Sequence, residues 1–541
     1  MTAAGSDKSA PASVAPRPPG YRPPDPDRVR RVADALLDPV LEPIVDIVLT
    51  TDDEGYEVRA VDGRVRFRRE PAGAASDPGG DGDDTRGWRF VDVLVEGRNP
   101  LGNTTTDRFP TLADELAARW PTRTEQSYPH AHEHIAQLFD HPAAPDVVCL
   151  HTAAHNWEDQ GGERGEHGSL GVVQVRAPFV LAGAGVRQDG LVPRSCRLVD
   201  VAPTVLALLG AEPAGAGTGP GGERDDGALL VRQDGRVLAE LLDGRDTPDH
   251  VIGFLWDGTN ANVLYDLVAA GEVPNLARLL AIGTAMGHGA MASLPSVTLA
   301  NHTTILTGAH PGHHGILHNA WYDRVTGQQV VTNSPATWPW SMQTLSPRVE
   351  TLHQAVHRAF PGSRTVSVNE PCDVGADYST FEVLRTGGRL ARPPRAEDLP
   401  FATERFVRPD KSYEVSSRID HTGMVQALDV WDGARDGRSA DGAPLPRFTF
   451  VNFTLTDAAF HHSGPYADIA RASVHDSDAR LGQVLDAVER SGVWDRTAFF
   501  LVADHGMEDS NPEVTGDWAP ALADTGIPCR DEAYGFIYVD V

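Results

Sequence analysis

Across 541 residues the chain carries 47 basic and 76 acidic side chains, a formal net charge of −29 with neutral histidines. So acidic a surface repels phosphate backbones, which argues against a protein that coats a nucleic-acid polymer. Apolar residues make up 40% of the chain, and its four cysteines, Cys149, Cys196, Cys372 and Cys529, show no CxxC spacing, which argues against low-complexity sequence, a disulfide framework and a thiolate zinc site.

Residues 1–28 are rich in Pro, Ala and Ser without periodicity, which predicts a disordered tail. The tail lacks an apolar h-region, and nowhere do about 18 consecutive apolar residues occur, so neither secretion nor a membrane span is expected. With a cysteine usage that suits a reducing compartment, the expectation is a cytoplasmic protein. Within residues 29–210, IVDIVLT, YEVRAV and RVRFRRE are separated by DDEG and DG turns and predict an antiparallel meander. LADELAARW and HEHIAQLF predict helices, and VVCL predicts a strand that ends at His151. The Gly-rich run GAEPAGAGTGPGGERDDGA lies in 211–247, expected as a linker or mobile loop.

The last segment, 248–541, has buried-type strands in VIGFLW, TFVNFTL and AFFLVA, and an irregular stretch at about 322–445, with Trp338 and Trp340, expected as a cap insertion. Helical and continuous apolar segments alternate along the chain, which predicts an α/β fold with a mostly parallel central sheet flanked by helices. In such sheets ligands gather beyond the carboxyl ends of the strands. Three of the apolar runs reach an acid there, Asp257, Asp457 and Asp504. A single strand-end aspartate is more often a cap or turn former, but here three come together. His461 follows Asp457 at i+4, which puts both on one helix face as two ligands of one metal, and His505 and Gly506 follow Asp504 directly. Thr298 is expected just before a helix that begins near Asn301, where the dipole and free N–H groups favour an alkoxide and a phosphoryl oxygen; the alternative is that it only caps that helix.

The residues Asp257-Gly258, the segment TLANHTTILTGAHPGHHGILHN, Asp457 with His461, and Asp504-His505-Gly506 together resemble the alkaline phosphatase superfamily, in particular its nucleotide pyrophosphatase/phosphodiesterase branch. Thr298 and Asn319 stand 21 residues apart, matching that branch's nucleophile and its phosphoryl-binding asparagine. The resemblance implies two divalent metals, usually zinc, with manganese as the alternative. Asp257, Thr298, Asp504 and His505 would hold one, and Asp457 and His461 the other. The family's third ligand to the second metal is a histidine after the DHG motif, whereas only 36 residues follow His505 here and none is histidine.

The segment from GGERGEHGSL to RLVDVAPTVLALLG is similar to the family's usual C-terminal part, which makes His167 the missing ligand and implies a circular permutation, with YGFIYVDV and IVDIVLT as neighbouring strands. In the rival reading residues 29–210 are a separate domain and His167 is a loop histidine. His461 is preferred to His462 by its spacing; His130, His132 and His134 read as a polar helix start, His310, His313 and His318 as loop or supporting groups, and His151 and His155 as cleft residues without a role. The resemblance implies hydrolysis of a small-molecule phosphate ester or nucleotide, a diester or nucleotide pyrophosphate ahead of a monoester. A phosphomonoesterase, a phosphonoacetate-hydrolase-like enzyme and a non-catalytic binding protein of the same fold remain alternatives.

Overall fold

The computed structural model describes residues 23–71, 88–105, 109–157, 162–215, 217–219, 222–390, 411–440 and 442–541. Residues 1–22 of the expected tail lie outside them. The rest of that segment is not a tail, because a helix runs from Pro26 to Leu36, capped by the Asp25 carboxylate, which accepts the Asp27 N–H. It buries Val32, Ala33 and Leu36 against Trp518 and Leu522.

The chain forms a mixed α/β fold around an eight-stranded sheet with the order Tyr378–Ser379, Thr365–Val368, Phe448–Phe453, His250–Trp256, Thr497–Val502, Phe179–Gly183, Gly283–Met286, Gly190–Val192. The first five strands are parallel. Phe179–Gly183 runs antiparallel to both of its neighbours, and Gly283–Met286 and Gly190–Val192 are parallel again. All seven residues of His250–Trp256 are buried, as expected for a strand with helices on both faces. Two strands, Thr365–Val368 and Tyr378–Ser379, come from the segment 322–445 expected as a cap, so that segment contributes to the central sheet.

Phe179–Gly183 comes from the first half of the chain and lies between two strands of the second, so the halves share one core. Val180 and Ala182 pack with Ile252, Phe254 and Phe499 on one face of the sheet. On the other, the helix Val201–Leu208 buries Val201 and Ala202 with Ile305 and Leu306 of the helix Thr298–Thr307. The stretch 211–247 is packed along much of its described length, with Leu230, Leu238 and Leu241 in this second cluster.

The predicted meander forms, and it belongs to a second sheet of seven antiparallel strands, in the order Cys529–Glu532, Phe536–Val539, Val147–His151, Val45–Asp52, Gly55–Ala60, Gly63–Pro71, Trp88–Gly97. YGFIYVDV and IVDIVLT are therefore not direct neighbours: Val147–His151 pairs with both and separates them. Among the described residues no helix is long and apolar enough to cross a membrane.

Candidate metal centre

The parallel strands bring three acids to one edge of the sheet. Asp257 follows His250–Trp256, Asp457 sits in the first turn of the helix Leu455–Ser463, and Asp504 lies beyond Thr497–Val502. Gly258, at φ +63°, accepts a left-handed turn at no side-chain cost, and a Cβ there would stand 2.5 Å from Asp457 Oδ1. Its N–H donates to Asp504 Oδ1 over 3.0 Å, and the Thr456 hydroxyl donates to the Asp257 carbonyl over 2.6 Å, so the three turns are fixed to one another.

Around the acids lie three groups of potential metal ligands, each with its ligand atoms within 4.8 Å of one another: His167, Asp457 and His461; Asp257, Asp457 and His505; and Asp257, His302 and Asp504. The i+4 pair meets as the helix spacing predicts, with His461 Nε2 3.4 Å from Asp457 Oδ1. His167 arrives from the first half of the chain, carried by the short strand Gly165–Glu166, which pairs with Glu508–Asp509. Its Nε2 is 3.0 Å from His461 Nε2 and 4.0 Å from Asp457 Oδ1. Its ring stacks on His505 with centroids 3.6 Å apart.

The donor chemistry fits divalent cations. His167 Nδ1 lies 2.8 Å from the Ser296 carbonyl and His461 Nδ1 2.7 Å from that of Gly165, so Nδ1 carries the proton in both rings. Two bare Nε2 lone pairs then face each other across 3.0 Å, an arrangement that repels unless a cation sits between them. Asp257 Oδ1, Asp457 Oδ1, Asp504 Oδ2 and His505 Nε2 are buried without a hydrogen-bond partner, and all belong to the three groups.

The buried acids and imidazoles shift one another's ionisation. Burial, then the Asp504 and Asp457 charges, push the Asp257 carboxyl well above the usual carboxylate range. Burial opposes ionisation of Asp504 too, but His505 and His302 outweigh it and hold that carboxyl well below its ordinary value. His505 is raised to about 9, its burial overcome by Asp504 above all. Burial, with His505 and His461 nearby, keeps His167 well below the usual histidine value and hence neutral, as a ligand must be.

Thr298 is the first residue of the helix Thr298–Thr307 rather than a residue three positions ahead of it, and is itself half-buried. Val297 at the cap has no side-chain acceptor, so no side chain caps this N-terminus. The Asn301 amide shapes the turn before it: Oδ1 accepts the Ser293 N–H over 2.8 Å and Nδ2 donates to the Pro295 carbonyl over 2.9 Å. Ser296, two residues before Thr298, accepts the Gly168 N–H at Oγ over 3.0 Å, which joins this turn to His167. Asn319 faces a cavity of about 230 Å³ that His167 and His461 also line.

Two residues were missed as site residues by the sequence reading. His302 stood in the quoted motif without a role, yet its Nε2 lies 3.5 Å from Asp257 Oδ2 and 3.4 Å from Asp504 Oδ2. Its Nδ1 is 2.8 Å from Glu370 Oε2, and Glu370 is fully buried beyond the strand Thr365–Val368. The available signal was one more acid beyond an apolar strand. Among the other histidines, His130 precedes the helix Ala131–Leu138, in which His134 is fully buried. His313 lies between Asp140 and Asp234, at 2.9 and 2.5 Å. Trp338 packs in its own segment, its Nε1 donating to Asn333 Oδ1, and the cavity beside the metal groups is lined instead by residues of 148–168 and 533–536 as well as by Asn319.

The profile of the type I phosphodiesterase / nucleotide pyrophosphatase family matches residues 251–536, more than half of the chain. The chain therefore belongs to the type I phosphodiesterase / nucleotide pyrophosphatase family. It is 25% identical over 264 residues to an uncharacterised pyrophosphatase/phosphodiesterase of Schizosaccharomyces pombe, covering 48% of this chain and 44% of that one. To ectonucleotide pyrophosphatase/phosphodiesterase family member 3 of Mus musculus it is 24% identical over 287 residues, 52% of this chain and 27% of the relative. Against the solved structure of murine ectonucleotide pyrophosphatase/phosphodiesterase 5 the TM-score is 0.31 at 15% identity, over 48% of this chain and 57% of that one. The chain thus spans less than half the length of the curated relatives it matches.

Proposed function

We propose that the protein is a metal-dependent phosphodiesterase or nucleotide pyrophosphatase that uses Thr298 as nucleophile and two divalent cations, zinc or manganese. The observation that carries this reading is the convergence of Asp257, Asp457 and Asp504 with His167, His461 and His505, in which Asp257 Oδ1, Asp457 Oδ1, Asp504 Oδ2 and His505 Nε2 are buried and unsatisfied. Asp257, Asp504, His505 and Thr298 would hold one cation, and Asp457, His461 and His167 the other. Bound there, the two cations would supply positive charge to the nucleophile, the leaving oxygen and the phosphoryl oxygens.

The chain's own groups arrange the displacement. Thr298 releases its hydroxyl proton to solvent and its Oγ1 attacks phosphorus from the start of its helix, where the uncapped N–H groups and the dipole favour the charge that collects on the phosphoryl group. Asn319 donates its amide hydrogen to a nonbridging oxygen, and the leaving alkoxide departs on the opposite side. Water then displaces Thr298 from the threonyl-phosphate in a second in-line step.

We further propose that the chain is a circular permutant of its family, with residues 29–210 standing where the family's C-terminal part stands. Support comes from His167 within reach of Asp457 and His461, from Phe179–Gly183 in the central sheet, and from Arg28 Nη1 at 2.9 Å from Asp540 Oδ1.

The test is turnover of bis-p-nitrophenyl phosphate and p-nitrophenyl phosphate by zinc- or manganese-loaded protein, with Thr298→Ala alongside and bound metal counted in both proteins. The expected result is diester preference, about two metals per chain, and a loss in the variant of about a thousandfold or more with metals retained. Monoester preference would move the assignment to a phosphatase. An unchanged rate in Thr298→Ala would refute the covalent role.

A further inference from the structure

The helix Leu455–Ser463, which carries Asp457 and His461, is entered through the run Thr454-Leu455-Thr456-Asp457, with Thr454 at the cap. A threonine followed three positions later by an acid is the signature of a capping box, in which the threonine hydroxyl accepts the acid's backbone N–H and the acid reaches back to the threonine N–H. The same spacing closes in that way elsewhere in this chain. At Thr111-Leu112-Ala113-Asp114 the Asp114 carboxylate accepts the Thr111 N–H over 2.9 Å, and the Thr111 hydroxyl accepts the Asp114 N–H over 3.2 Å. A box at 454–457 would engage the Asp457 carboxylate with its own backbone instead of with a cation.

That box does not form, because its groups are taken from outside. Thr454 makes no side-chain cap hydrogen bond. Its N–H donates to Asp420 Oδ1 over 2.7 Å, its hydroxyl donates to the same oxygen over 3.2 Å, and the Leu455 N–H donates to Asp420 Oδ2 over 3.0 Å. Asp420 is fully buried on the helix Lys411–Trp431, which belongs to the segment expected as a cap. Arg480 of the helix Asp468–Arg490, also fully buried, holds that helix one turn earlier, its Nη2 donating to the Ser417 carbonyl at 3.0 Å and hydroxyl at 2.6 Å. Burial pushes the Asp420 carboxyl up to about 6, and the Arg480 charge leads the groups that oppose this, so the residue is ionised at neutral pH and suits a helix N-terminus. Asp457 Oδ1 is left buried without a hydrogen-bond partner, 3.4 Å from His461 Nε2.

We propose that, within the metal-dependent hydrolase reading above on which this rests, Asp420 is a positioning residue: by occupying both capping groups of Thr454 it keeps the 454–457 turn from closing on itself and leaves Asp457 to the second cation. Asp420 touches neither substrate nor cation in this role, and acts only through the helix that bears Asp457 and His461.

The experiment is competition of a zinc chelator against the full chain, native and Asp420→Ala, with a structure of the metal-free variant. In Asp420→Ala one of the two zinc ions is expected to be held about 10–100-fold more weakly and the other as in the native chain, while the Asp457 carboxylate accepts the Thr454 N–H. Asp420→Asn, which keeps the side-chain volume but only one acceptor, is expected to fall between the two and supplies the same comparison if the alanine variant does not fold. In a His461→Ala background, where the weakened site is already lost, Asp420→Ala should leave the remaining zinc unchanged. Equal weakening of both ions, no weakening of either, or an Asp457 carboxylate that stays off the Thr454 N–H in the variant overturns the inference. Turnover is a separate readout: selective loss of one zinc from a chain that hydrolyses neither ester upholds the positioning role and counts against the hydrolase reading, whereas fewer than two zinc ions on the native chain overturns both.

Discussion

Glu370 illustrates how far a single residue reaches into the candidate centre. Its carboxylate is 2.8 Å from His302 Nδ1, and His302 Nε2 faces Asp257 and Asp504 at 3.5 and 3.4 Å. Burial disfavours a charged His302, but Glu370 first, then Asp257 and Asp504, raise it well above the ordinary histidine value. Glu370 thereby orients an imidazole that sets the spacing of two proposed metal ligands. Glu370→Gln keeps the shape and removes the charge, and should weaken one of the two bound metals by about 10–100-fold, read by chelator competition on purified protein. The sequence showed Glu370 only as part of NEPCD, because nothing local in that run says which helix it will face. The Asp457–His461 contact was legible because its i+4 spacing is itself the signal, while the roles of Thr298 and Asn319 are proposals carried by their 21-residue spacing.

At the scale of elements, the centre depends on how closely turns approach. A Cβ on Gly506 would lie 2.0 Å from the Val173 carbonyl and 2.8 Å from that of Arg176, both backbone atoms of the first half of the chain. The glycine lets the Asp504-His505 turn seat against 173–176. Its N–H donates to the Gln174 carbonyl over 2.8 Å in the same contact. Gly506→Ala should force these segments apart and cost about 1–3 kcal/mol, read by denaturant unfolding of metal-free protein, so that loss of metal does not enter. The apolar strands were readable from composition, whereas the antiparallel placement of Phe179–Gly183 was not, since an apolar run fixes burial but neither neighbour nor direction.

For the whole molecule, the seam between the two halves carries a pH dependence. Glu508 pairs in register with Glu166, accepts from Gln174 Nε2 over 3.1 Å, and is raised from 4.5 to about 8, chiefly by burial. The folded protein therefore keeps a proton that the unfolded chain has lost, so this stability is complete below pH 4.5 and drains away as pH rises through about 8. Glu508→Gln removes the dependence, and its midpoint relative to the native chain should climb between pH 5 and pH 8.5 in thermal melts; parallel curves would disprove the buried ionisation. The permutation has its own consequence. A chain in which a short linker joins residue 541 to residue 26, with new termini opened within 211–228, should fold and bind the same number of metals, as counted by elemental analysis. Failure to fold would show that the stretch 211–247 is needed as a continuous piece.

The sequence alone determined the chemistry available: three acids beyond apolar strands, a histidine one helical turn after Asp457, a threonine near a helix start, and the α/β class. Those are local properties, written in spacing and hydropathy. Only the tertiary structure decided which distant groups join them. It brought His167 to His461 across 294 positions of chain, Glu370 to His302, and Asp420 to Thr454. Strand order and register made those choices, and both depend on pairings between segments far apart in sequence, whose energies no local pattern contains.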